Sequence, residues 1–437
     1  MLNNFVVFKT GKPNINDTEY EVVERKGIGH PDNLCDAVAE KISVAYSTYC
    51  LDKYGVILRH MVDKVAVLGG SSKVSFGQGE MTSPIRILLN GRFTHIFLDE
   101  EIDYMKIVNN VVKDHFKNIF PLLDTDKWLK IIDNTHFSQG PGVVYNKDGT
   151  TKNERSQFFS VSDEKYIKHH SNGFRSNDTS TTVSYFPLSD LENMVIISEG
   201  LLDNAKFKKS HQYVGTDIKV MGKRVSKNIE LTLCIPFIAE FTPDQGFYIQ
   251  KLNELKELLI NMLKREFPTY SIDIILNTRD NFDNQDIYLT AIGSAVESGD
   301  EGAVGRGNRS NGIIPFTRNM SSEAPCGKNP VYHTGKIFTV IGDIIAEEIF
   351  KTLGIESTVY LTSQMGRDMN DPWQAAIALD GYQKDIDEEL RMSISNIVEE
   401  NLIKHSEITN KIVSGQIKIY EPKINLSVFR EVMSSAA

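Results

Sequence analysis

The sequence predicts an α+β protein in which helices lie against largely antiparallel or mixed sheets. Segments with helical hydrophobic spacing alternate with short apolar runs that are typical of strands. These segments lack the regular strand–helix–strand rhythm of a parallel α/β fold. The chain has 437 residues, of which 41% are hydrophobic and 24% charged, and this is enough for two to four domains or subdomains with a sizeable core.

The first predicted helix rests on apolar residues at helical spacing through residues 34–49 and ends near Gly55, with Asp32 as its N-cap after Pro31. A weak pattern rich in Gly, Pro, Ser, Asn and Lys predicts a long loop or insertion over residues 135–177. We find no short internal repeat. The other predicted elements are strands at 56–70 and 85–90, a helix at 101–117, a strand at 230–241, a helix at 249–262, strands at 271–277 and 287–292, a helix at 332–353, a strand at 358–362 and a helix at 382–402.

Composition argues against several classes of protein. The formal net charge of -10 and the pI of about 5.6 disfavour general nucleic-acid binding, but they allow a local basic cluster to bind a small anion. The four cysteines form neither a C-x-x-C pair nor a zinc spacing, so we expect reduced thiols. The N-terminus lacks a signal-peptide pattern, and the longest apolar stretch, residues 231–241, is too short and too polar to cross a bilayer. We therefore expect a cytoplasmic protein without a membrane partner.

The segment with the strongest chemical character is Gly299-Asp-Glu-Gly-Ala-Val-Gly-Arg-Gly-Asn-Arg-Ser-Asn-Gly312, which contains five glycines, two carboxylates and two arginines. Glycines let backbone N–H groups approach an anion, and arginines present forked donors to phosphate oxygens. Carboxylates beside phosphates usually hold Mg²⁺ between them. The spacing matches neither the dinucleotide-binding fingerprint nor the P-loop. The segment predicts a loop that binds phosphate and metal, with a flexible surface turn as the alternative.

A second candidate is Gly27-Ile-Gly-His-Pro-Asp32, directly before the first predicted helix. The free N–H groups and the dipole at a helix N-terminus attract anions. His30 has the chemistry to hydrogen-bond a phosphate or a leaving oxygen, and Asp32 can cap the helix or bind a metal. A plain helix cap with a structural histidine is the alternative.

Weaker candidates are a lysine loop and several short acid–base pairs. Cys326-Gly-Lys-Asn-Pro330 offers Lys328 as a point charge for phosphate, although an isolated Gly-Lys pair is weak evidence. Surface ion pairs are the usual explanation for the remaining groups. These are Asp63 with Lys64, Asp217 with Lys219, and Glu80 after a glycine-rich turn.

Together these motifs resemble the archaeal-type branch of the methionine adenosyltransferase, or S-adenosylmethionine synthetase, family. The resemblance covers about residues 20–370. It rests on motifs that occur in this order: Glu24-Arg-Lys-Gly-Ile-Gly-His-Pro-Asp32, Asp63-Lys-Val65, Phe76-Gly-Gln-Gly-Glu80, Gly215-Thr-Asp-Ile-Lys-Val-Met-Gly222, the segment at 299–311, and Gly327-Lys-Asn-Pro330.

The resemblance implies an activity and an architecture. In this family the methionine sulfur attacks C5′ of ATP and expels the triphosphate, which is cleaved to diphosphate and phosphate before release. The implied ions are Mg²⁺ and a monovalent cation such as K⁺, and the implied partners are ATP and L-methionine. The family fold has three similar subdomains with pseudo-threefold symmetry. It forms homodimers with active sites between the subunits, so an isolated monomer should be inactive.

The resemblance also implies roles for individual residues. His30 would lie near the leaving oxygen, Asp32 would bind magnesium, and Glu80 would receive the methionine amino group. The second magnesium ligand is open between Asp300 and Glu301. The full implied set comprises the catalytic residues His30, Lys219, Arg306 and Lys328, the substrate-binding residues Asp63, Lys64, Glu80, Ser138, Gln139, Gly140, Pro141, Gly142, Val143, Asp178, Asp217, Asp300 and Arg309, and the metal ligands Asp32 and Asp300.

The chain departs from the family pattern in three places. Residues 137–143 lack the acid that usually follows the nucleotide loop, the expected loop at residues 181–186 lacks the usual small residues and glycines, and residues 144–174 are expanded. These departures suggest two alternatives, which are a transferase with a different thioether amino acid and a catalytically weak dimerising or regulatory homologue.

The implied subdomains are discontinuous in sequence. The first combines residues 1–20 with 180–286. The second combines residues 21–134 with 287–330 and carries most of the phosphate and metal site. The third combines residues 135–179 with 331–437 and includes the loop-rich expansion.

Overall fold

The computed structural model describes residues 4–137, 145–150 and 175–421, and it confirms the α+β class. Of the helices in these ranges, α1 is the longest, and none is long and apolar enough to cross a membrane. The α-helices are α1 (Pro31–Tyr54), α2 (Tyr104–Ile119), α3 (Thr125–Trp128), α4 (Asp190–Leu202), α5 (Ala205–Ser210), α6 (Gln245–Glu266), α7 (Thr334–Leu353), α8 (Glu388–Leu402) and α9 (His405–Val413).

The strands of the described ranges are mostly short. They are β1 (Phe5–Lys9), β2 (Tyr20–Lys26), β3 (His60–Met61), β4 (Ala66–Leu68), β5 (Ser71–Ser75), β6 (Gln78–Ser83), β7 (Ile85–Phe93), β8 (Ile96–Phe97), β9 (Glu100–Glu101), β10 (Leu129–Phe137), β11 (Thr181–Phe186), β12 (Lys219–Val225), β13 (Asn228–Cys234), β14 (Phe237–Ile238), β15 (Ser271–Leu276), β16 (Leu289–Thr290), β17 (Gly302–Ala303), β18 (Ile314–Pro315), β19 (Ser357–Thr362) and β20 (Gln374–Leu379).

Three larger sheets share one plan, in which a single parallel pair stands at one edge and the other pairs are antiparallel. Sheet 1 has the order β10-β7-β4-β17 with β3 beside β7, sheet 2 the order β15-β13-β12-β2-β18, and sheet 3 the order β1-β20-β19-β11. In sheets 1 and 2 the parallel partners are joined through a helix, α2 between β7 and β10 and α6 between β13 and β15. This repeated plan agrees with a fold of three similar units.

Each sheet buries one face against its own helices, because alternate strand residues are apolar. The three resulting cores are separate: α1 and α2 cover sheet 1, α4 and α6 cover sheet 2, and α7 and α8 cover sheet 3. Helix α1 also touches the third core through Val44. It therefore lies between units and is buried along most of its length, which fixes both of its ends relative to the sheets.

The structure corrects two predictions about local structure. Residues 181–186, expected to be an altered loop, form β11, which pairs antiparallel with β19 over its whole length. The predicted strand at 56–70 contains only the short strands β3 and β4, because the residues between them form a turn. The other predicted helices and strands correspond to observed elements, although residues 287–292 contribute only β16.

Two N-terminal strands lie in other sheets than the implied subdomains would place them. β1 was assigned with residues 180–286 but pairs with β20 of sheet 3. Most of β2 was assigned with residues 287–330 but pairs with β12 of sheet 2. The division of the chain into subdomains stays a prediction, and the sheets indicate where its boundaries should be placed.

Candidate active site

The site is organised around the N-terminus of α1. His30 is the N-cap, because its Nδ1 accepts the backbone N–H of Asp32 at 3.2 Å, and Pro31 occupies the first helical position. The prediction of Asp32 as the N-cap is therefore wrong by two residues. Asp32 instead lies in the first turn, with its carboxylate buried.

The state of His30 follows from these contacts. Burial, together with the nearby Lys26, lowers the pKa of His30 to about 4, although Asp32 opposes the shift. The imidazole is therefore neutral at neutral pH. Since Nδ1 accepts a hydrogen bond, the ring proton must be on Nε2, which makes His30 a neutral hydrogen-bond donor at this atom.

Asp32 is held by three groups, one from β2 and two from the glycine-rich segment. Its Oδ2 accepts Lys26 Nζ at 2.8 Å, its Oδ1 accepts the N–H of Ala303 at 3.0 Å, and Arg306 Nε lies 3.8 Å from Oδ1. A carboxylate offers about four acceptor positions, so this one retains capacity for a metal ion. Lys26 was not singled out from sequence beyond its place in the motif, although its ammonium donates both to Asp32 and, at 2.7 Å, to the backbone carbonyl of Arg306.

The glycine-rich loop is seated on the first turns of α1. A Cβ on Gly302 would lie 2.2 Å from the carbonyl carbon of Pro31, and a Cβ on Gly307 would lie 2.2 Å from Asp36 Oδ2. These glycines thus allow the loop to approach the helix. The composition of the segment was interpreted as an approach to an anion, but at these two positions the close partner is protein.

Two side chains of α1 that the sequence did not single out hold this loop. Buried Asp36 accepts the N–H groups of Gly305 at 2.8 Å and Gly307 at 3.1 Å, on either side of Arg306. Asn33 Oδ1 accepts the N–H of Asn308 at 3.0 Å. Asn33 and Asp36 are three residues apart and so share one helix face, which is the signal that could have selected them. In sequence, however, a carboxylate that binds loop N–H groups looks the same as one that faces solvent.

The two arginines of the loop point to different surroundings. The Arg306 side chain is 73% exposed, so its guanidinium remains available to an anion. Arg309 instead donates to the backbone carbonyls of Gly305 at 2.6 Å and Gly307 at 2.8 Å. In this chain Arg309 braces the loop from within, and its predicted contact with substrate stays a prediction.

A cavity of about 410 Å³ opens beside His30. It collects four predicted residues, which are His30, Asp217, Lys219 and Asp300. It also includes residues that sequence reasoning missed, because none belongs to a charged or glycine-rich motif: Cys234, Asn277, Thr278, Arg279, Asp280, Asp286, Ile287, Tyr288 and Ala295. The volume and the mixed polar and apolar lining suit a small-molecule ligand.

Asp217 and Lys219 differ strongly in burial. Asp217 Oδ2 accepts the N–H of Ala295 at 3.0 Å, and burial raises the pKa of Asp217 to about 7 despite that bond. Lys219 is 40% exposed, and its Nζ lies 3.5 Å from the buried carboxylate of Glu24. The cavity therefore offers a partly exposed cation and a carboxyl group that exchanges its proton near neutrality.

A second charged cluster surrounds Lys328. Lys328 is almost fully buried, and its Nζ lies 2.7 Å from Asp63 Oδ2 and 3.0 Å from Glu323 Oε2. Burial alone would raise the pKa of Asp63, but Lys328 and Lys64 lower it to about 2. Lys328 was predicted as a phosphate-binding point charge, and in this chain its ammonium already has two carboxylate partners. Glu323 was not predicted.

The Lys328 cluster contacts α1 further along the helix than His30. His30 caps the start of α1, whereas the backbone carbonyl of Lys328 accepts Ser43 Oγ. At about 1.5 Å per residue, Ser43 lies about 20 Å from His30 along the helix axis. Glu323, a partner of Lys328, lines one pocket with Gly305 and Arg309 of the glycine-rich loop, and the role of Lys328 at the phosphates stays a prediction.

The remaining predicted residues lie on the Lys328 side or on the surface. Asn177, next to Asp178, accepts the N–H of Thr334 at the start of α7. The pKa of the adjacent His333 is lowered by burial and by Lys328. Glu80 is exposed on β6, opposite Lys73 of β5. The predicted residues Ser138, Gln139, Gly140, Pro141, Gly142 and Val143 lie outside the described residues.

Comparisons with known proteins identify the family of the chain. The family model described as S-adenosylmethionine synthetase matches residues 3–416. An S-adenosylmethionine synthase of Pyrobaculum aerophilum is 35% identical over 427 residues, which cover 95% of this chain and 100% of the relative. One of Hyperthermus butylicus is 36% identical over 96% of this chain and 100% of the relative, and one of Pyrococcus furiosus is 35% identical over the same shares.

Proposed function

The chain belongs to the S-adenosylmethionine synthetase family, and from that premise we propose how its residues carry out the family's reaction. The enzyme is a methionine adenosyltransferase that forms S-adenosylmethionine from ATP and L-methionine and cleaves the triphosphate to diphosphate and phosphate. The methionine sulfur forms a bond to C5′ while the C5′–O5′ bond breaks, and the bonding pair leaves with the triphosphate. A thioether has no proton to lose, so no general base is needed in this step.

His30 is the group that we assign to the leaving oxygen. Its Nε2–H is fixed by the bond that Nδ1 accepts from the Asp32 N–H, so it is oriented before the reaction begins. A donor aimed at an oxygen that gains negative charge binds the transition state more tightly than the ground state. This preoriented donor, beside the cavity that Lys219, Asp217 and Asp300 line, is the observation that carries the proposal.

Arg306 and Lys219 are the cations that we assign to the phosphates. Arg306 is exposed at the tip of the loop, and Lys219 is half-exposed within the cavity. A guanidinium binds phosphate oxygens in a bidentate manner, while an ammonium acts as a point charge. Asp36 positions Arg306, because it binds the N–H groups of the glycines on both sides of that residue.

The family is metal-dependent, and we propose Mg²⁺ with Asp32 as a ligand and Asp300 as the second. Asp32 retains acceptor positions, and Asp300 is exposed at the cavity. Mg²⁺ usually takes one or two carboxylates and completes its coordination with substrate phosphates and water, so this small donor set fits. When bound, the ion neutralises charge on the triphosphate. We also propose K⁺ as the monovalent cation, and the cytoplasm as the location.

We propose that a second copy of the chain completes each site. The Lys328 backbone contacts α1 at Ser43, about 20 Å along the helix from His30, and Glu80 is exposed on the hairpin of β5 and β6. A twofold dimer can bring the Asp63, Glu80 and Lys328 side of one chain to the His30 side of the other. The requirement for both clusters then explains why a monomer should be inactive.

The two alternatives considered from sequence, a different amino-acid substrate and a regulatory homologue, gain no support from the described residues. The altered segment 181–186, which suggested a different thioether amino acid, is strand β11. The residues whose loss would indicate a regulatory homologue, including His30 and Asp32, are present.

The test is direct. Purified protein with ATP, Mg²⁺ and L-methionine should yield S-adenosylmethionine by mass spectrometry, together with diphosphate and phosphate. His30→Ala should lower kcat by about 10²–10³-fold, as expected for loss of one oriented donor at a leaving oxygen, while the far-ultraviolet circular dichroism spectrum is unchanged. A kcat within about threefold of the parent enzyme would contradict the role of His30.

A further inference from the structure

A second cavity lies between α1, α2 and the segment after α9, away from the candidate active site. Its volume is about 360 Å³, within the range of small-molecule sites. Val44 of α1, Val111 of α2 and Ile412 of α9 give it apolar walls, and Tyr420 also lines it. The family's reaction as assigned above uses none of these residues.

One buried polar group in this cavity lacks a partner. His115 of α2 is 7% exposed and lines the cavity, and its Nε2 has no hydrogen-bond partner among the described residues. Burial lowers the pKa of His115 to about 3, so the ring is neutral at neutral pH. A buried ring nitrogen without a partner costs stability, which a ligand with a polar group would relieve.

Two charges of opposite sign are also left over. Of the charged lining residues, Glu40 is paired with Lys336 at 2.6 Å, and Lys418 with Glu421 at 3.0 Å. Lys41 and Asp114 line the same cavity from α1 and α2, and neither forms a close ion pair within the described ranges, although the charges of Glu421 and Lys418 act on Lys41. Lys41 Nζ lies 5.5 Å from the centre of the Tyr420 ring.

We propose that this cavity binds a small zwitterion with an apolar side chain, the chemical class of a free α-amino acid. Its carboxylate pairs with Lys41 and its ammonium with Asp114. Its side chain packs against Val44, Val111 and Ile412. One polar group of the ligand meets His115 Nε2.

The cavity wall is connected to the Lys328 loop. The carboxylate of Glu40, which lines the cavity, accepts the backbone N–H of Gly327 at 3.0 Å as well as the Lys336 ammonium. A ligand that contacts this wall is therefore one hydrogen bond away from the residue next to Lys328. This connection is a reason to measure binding with the intact, full-length enzyme.

The experiment is isothermal titration calorimetry of the full chain with L-leucine and L-phenylalanine, which lack the thioether that the reaction consumes. At least one should bind with a Kd of millimolar order or tighter. For that amino acid, the matched acid without the ammonium and the matched amine without the carboxylate should each bind at least about tenfold more weakly, because each loses one ion pair.

Variants then locate the binding. Val44→Trp fills the cavity and should weaken binding by at least about tenfold, whereas Thr48→Trp, on an exposed position one turn further along α1, should leave it unchanged. Lys41→Met should weaken binding of the amino acid but not of the amine. Absence of binding up to about 20 mM, equal binding to the Val44→Trp protein, or equal binding of the amine would each overturn the proposal.

Discussion

Asp36 provides the sharpest test of how the loop around Arg306 is positioned. The perturbation is Asp36→Ala, which removes a buried carboxylate that binds the N–H groups of Gly305 and Gly307 at 2.8 and 3.1 Å. The matched control is Asp52→Ala, which removes an exposed carboxylate from the far end of the same helix.

The magnitude follows from the two orphaned donors. Each buried N–H left without an acceptor costs about 1–3 kcal/mol. Gly305 is only partly buried, so water can reach its N–H once the loop shifts, and a total near 2 kcal/mol is expected. If that cost appears in the transition state through a displaced Arg306, kcat/KM falls by about 30-fold.

The assay is steady-state formation of S-adenosylmethionine in a double-mutant cycle with Arg306→Ala. Because Asp36 acts through Arg306, the effect of Asp36→Ala should shrink to about threefold or less when Arg306 is already absent. Additive losses in the cycle, or a kcat/KM for Asp36→Ala equal to that of Asp52→Ala, would refute the positioning role.

Three further predictions concern the loop, the Lys328 cluster and pH. Arg306→Ala should lower kcat by about 10²–10³-fold with little change in stability to urea, because its guanidinium is exposed. Arg309→Ala should lower the unfolding free energy by about 1–3 kcal/mol, because its guanidinium donates to two backbone carbonyls of the loop. A loss of stability with Arg306→Ala and a loss of activity alone with Arg309→Ala would contradict the roles given to the two arginines. Lys328→Met should destabilise the fold by about 1–3 kcal/mol, since Asp63 keeps only exposed Lys64, and adding Asp63→Asn should recover part of that loss in urea unfolding; a stability unchanged by Lys328→Met would argue against the buried pair. Burial lowers the pKa of His60 to about 3, so as pH falls this histidine is protonated in the unfolded chain before it is protonated in the folded one. The stability that it contributes above about pH 6.5 is therefore lost as pH falls, and the free energy of unfolding should decrease by about 1.4 kcal/mol between pH 7.5 and 5.5 from this residue. His60→Asn should reduce that decrease, and an unchanged pH dependence in the variant would contradict the prediction.

The fold class and most helices could be predicted because hydrophobic periodicity is a local signal. The helix over residues 34–49 and the helix of residues 332–353 were both evident in this way. Sheet membership could not be predicted, since β1 and β20 pair across most of the chain length and nothing in either strand specifies its partner. Residues 181–186 were expected to be a loop because they depart from the family pattern, and their burial does not alternate strictly, since Ser184 and Tyr185 are both buried.

The candidate site shows the same division between local and long-range information. His30, Asp32 and Arg306 could be selected because they stand in compact motifs whose chemistry is recognisable. Asp36 and Lys26 could not, because their importance depends on which backbone groups the fold brings to them. The contact of the Lys328 backbone with Ser43 of α1 was equally hidden, since the two residues lie 285 positions apart in the sequence.

Complementation between two inactive variants tests the central claim, that each site combines the His30 side of one chain with the Lys328 side of another. His30→Ala and Lys328→Ala chains, carrying different affinity tags, are co-expressed and the mixed dimer is isolated. If the sites are shared, one site of the mixed dimer carries both substitutions and the other carries neither, so S-adenosylmethionine forms at about half the rate of the unsubstituted dimer. If one chain supplies both residues to its own site, both sites of the mixed dimer are impaired, and activity no higher than that of the two separate variants would contradict the account.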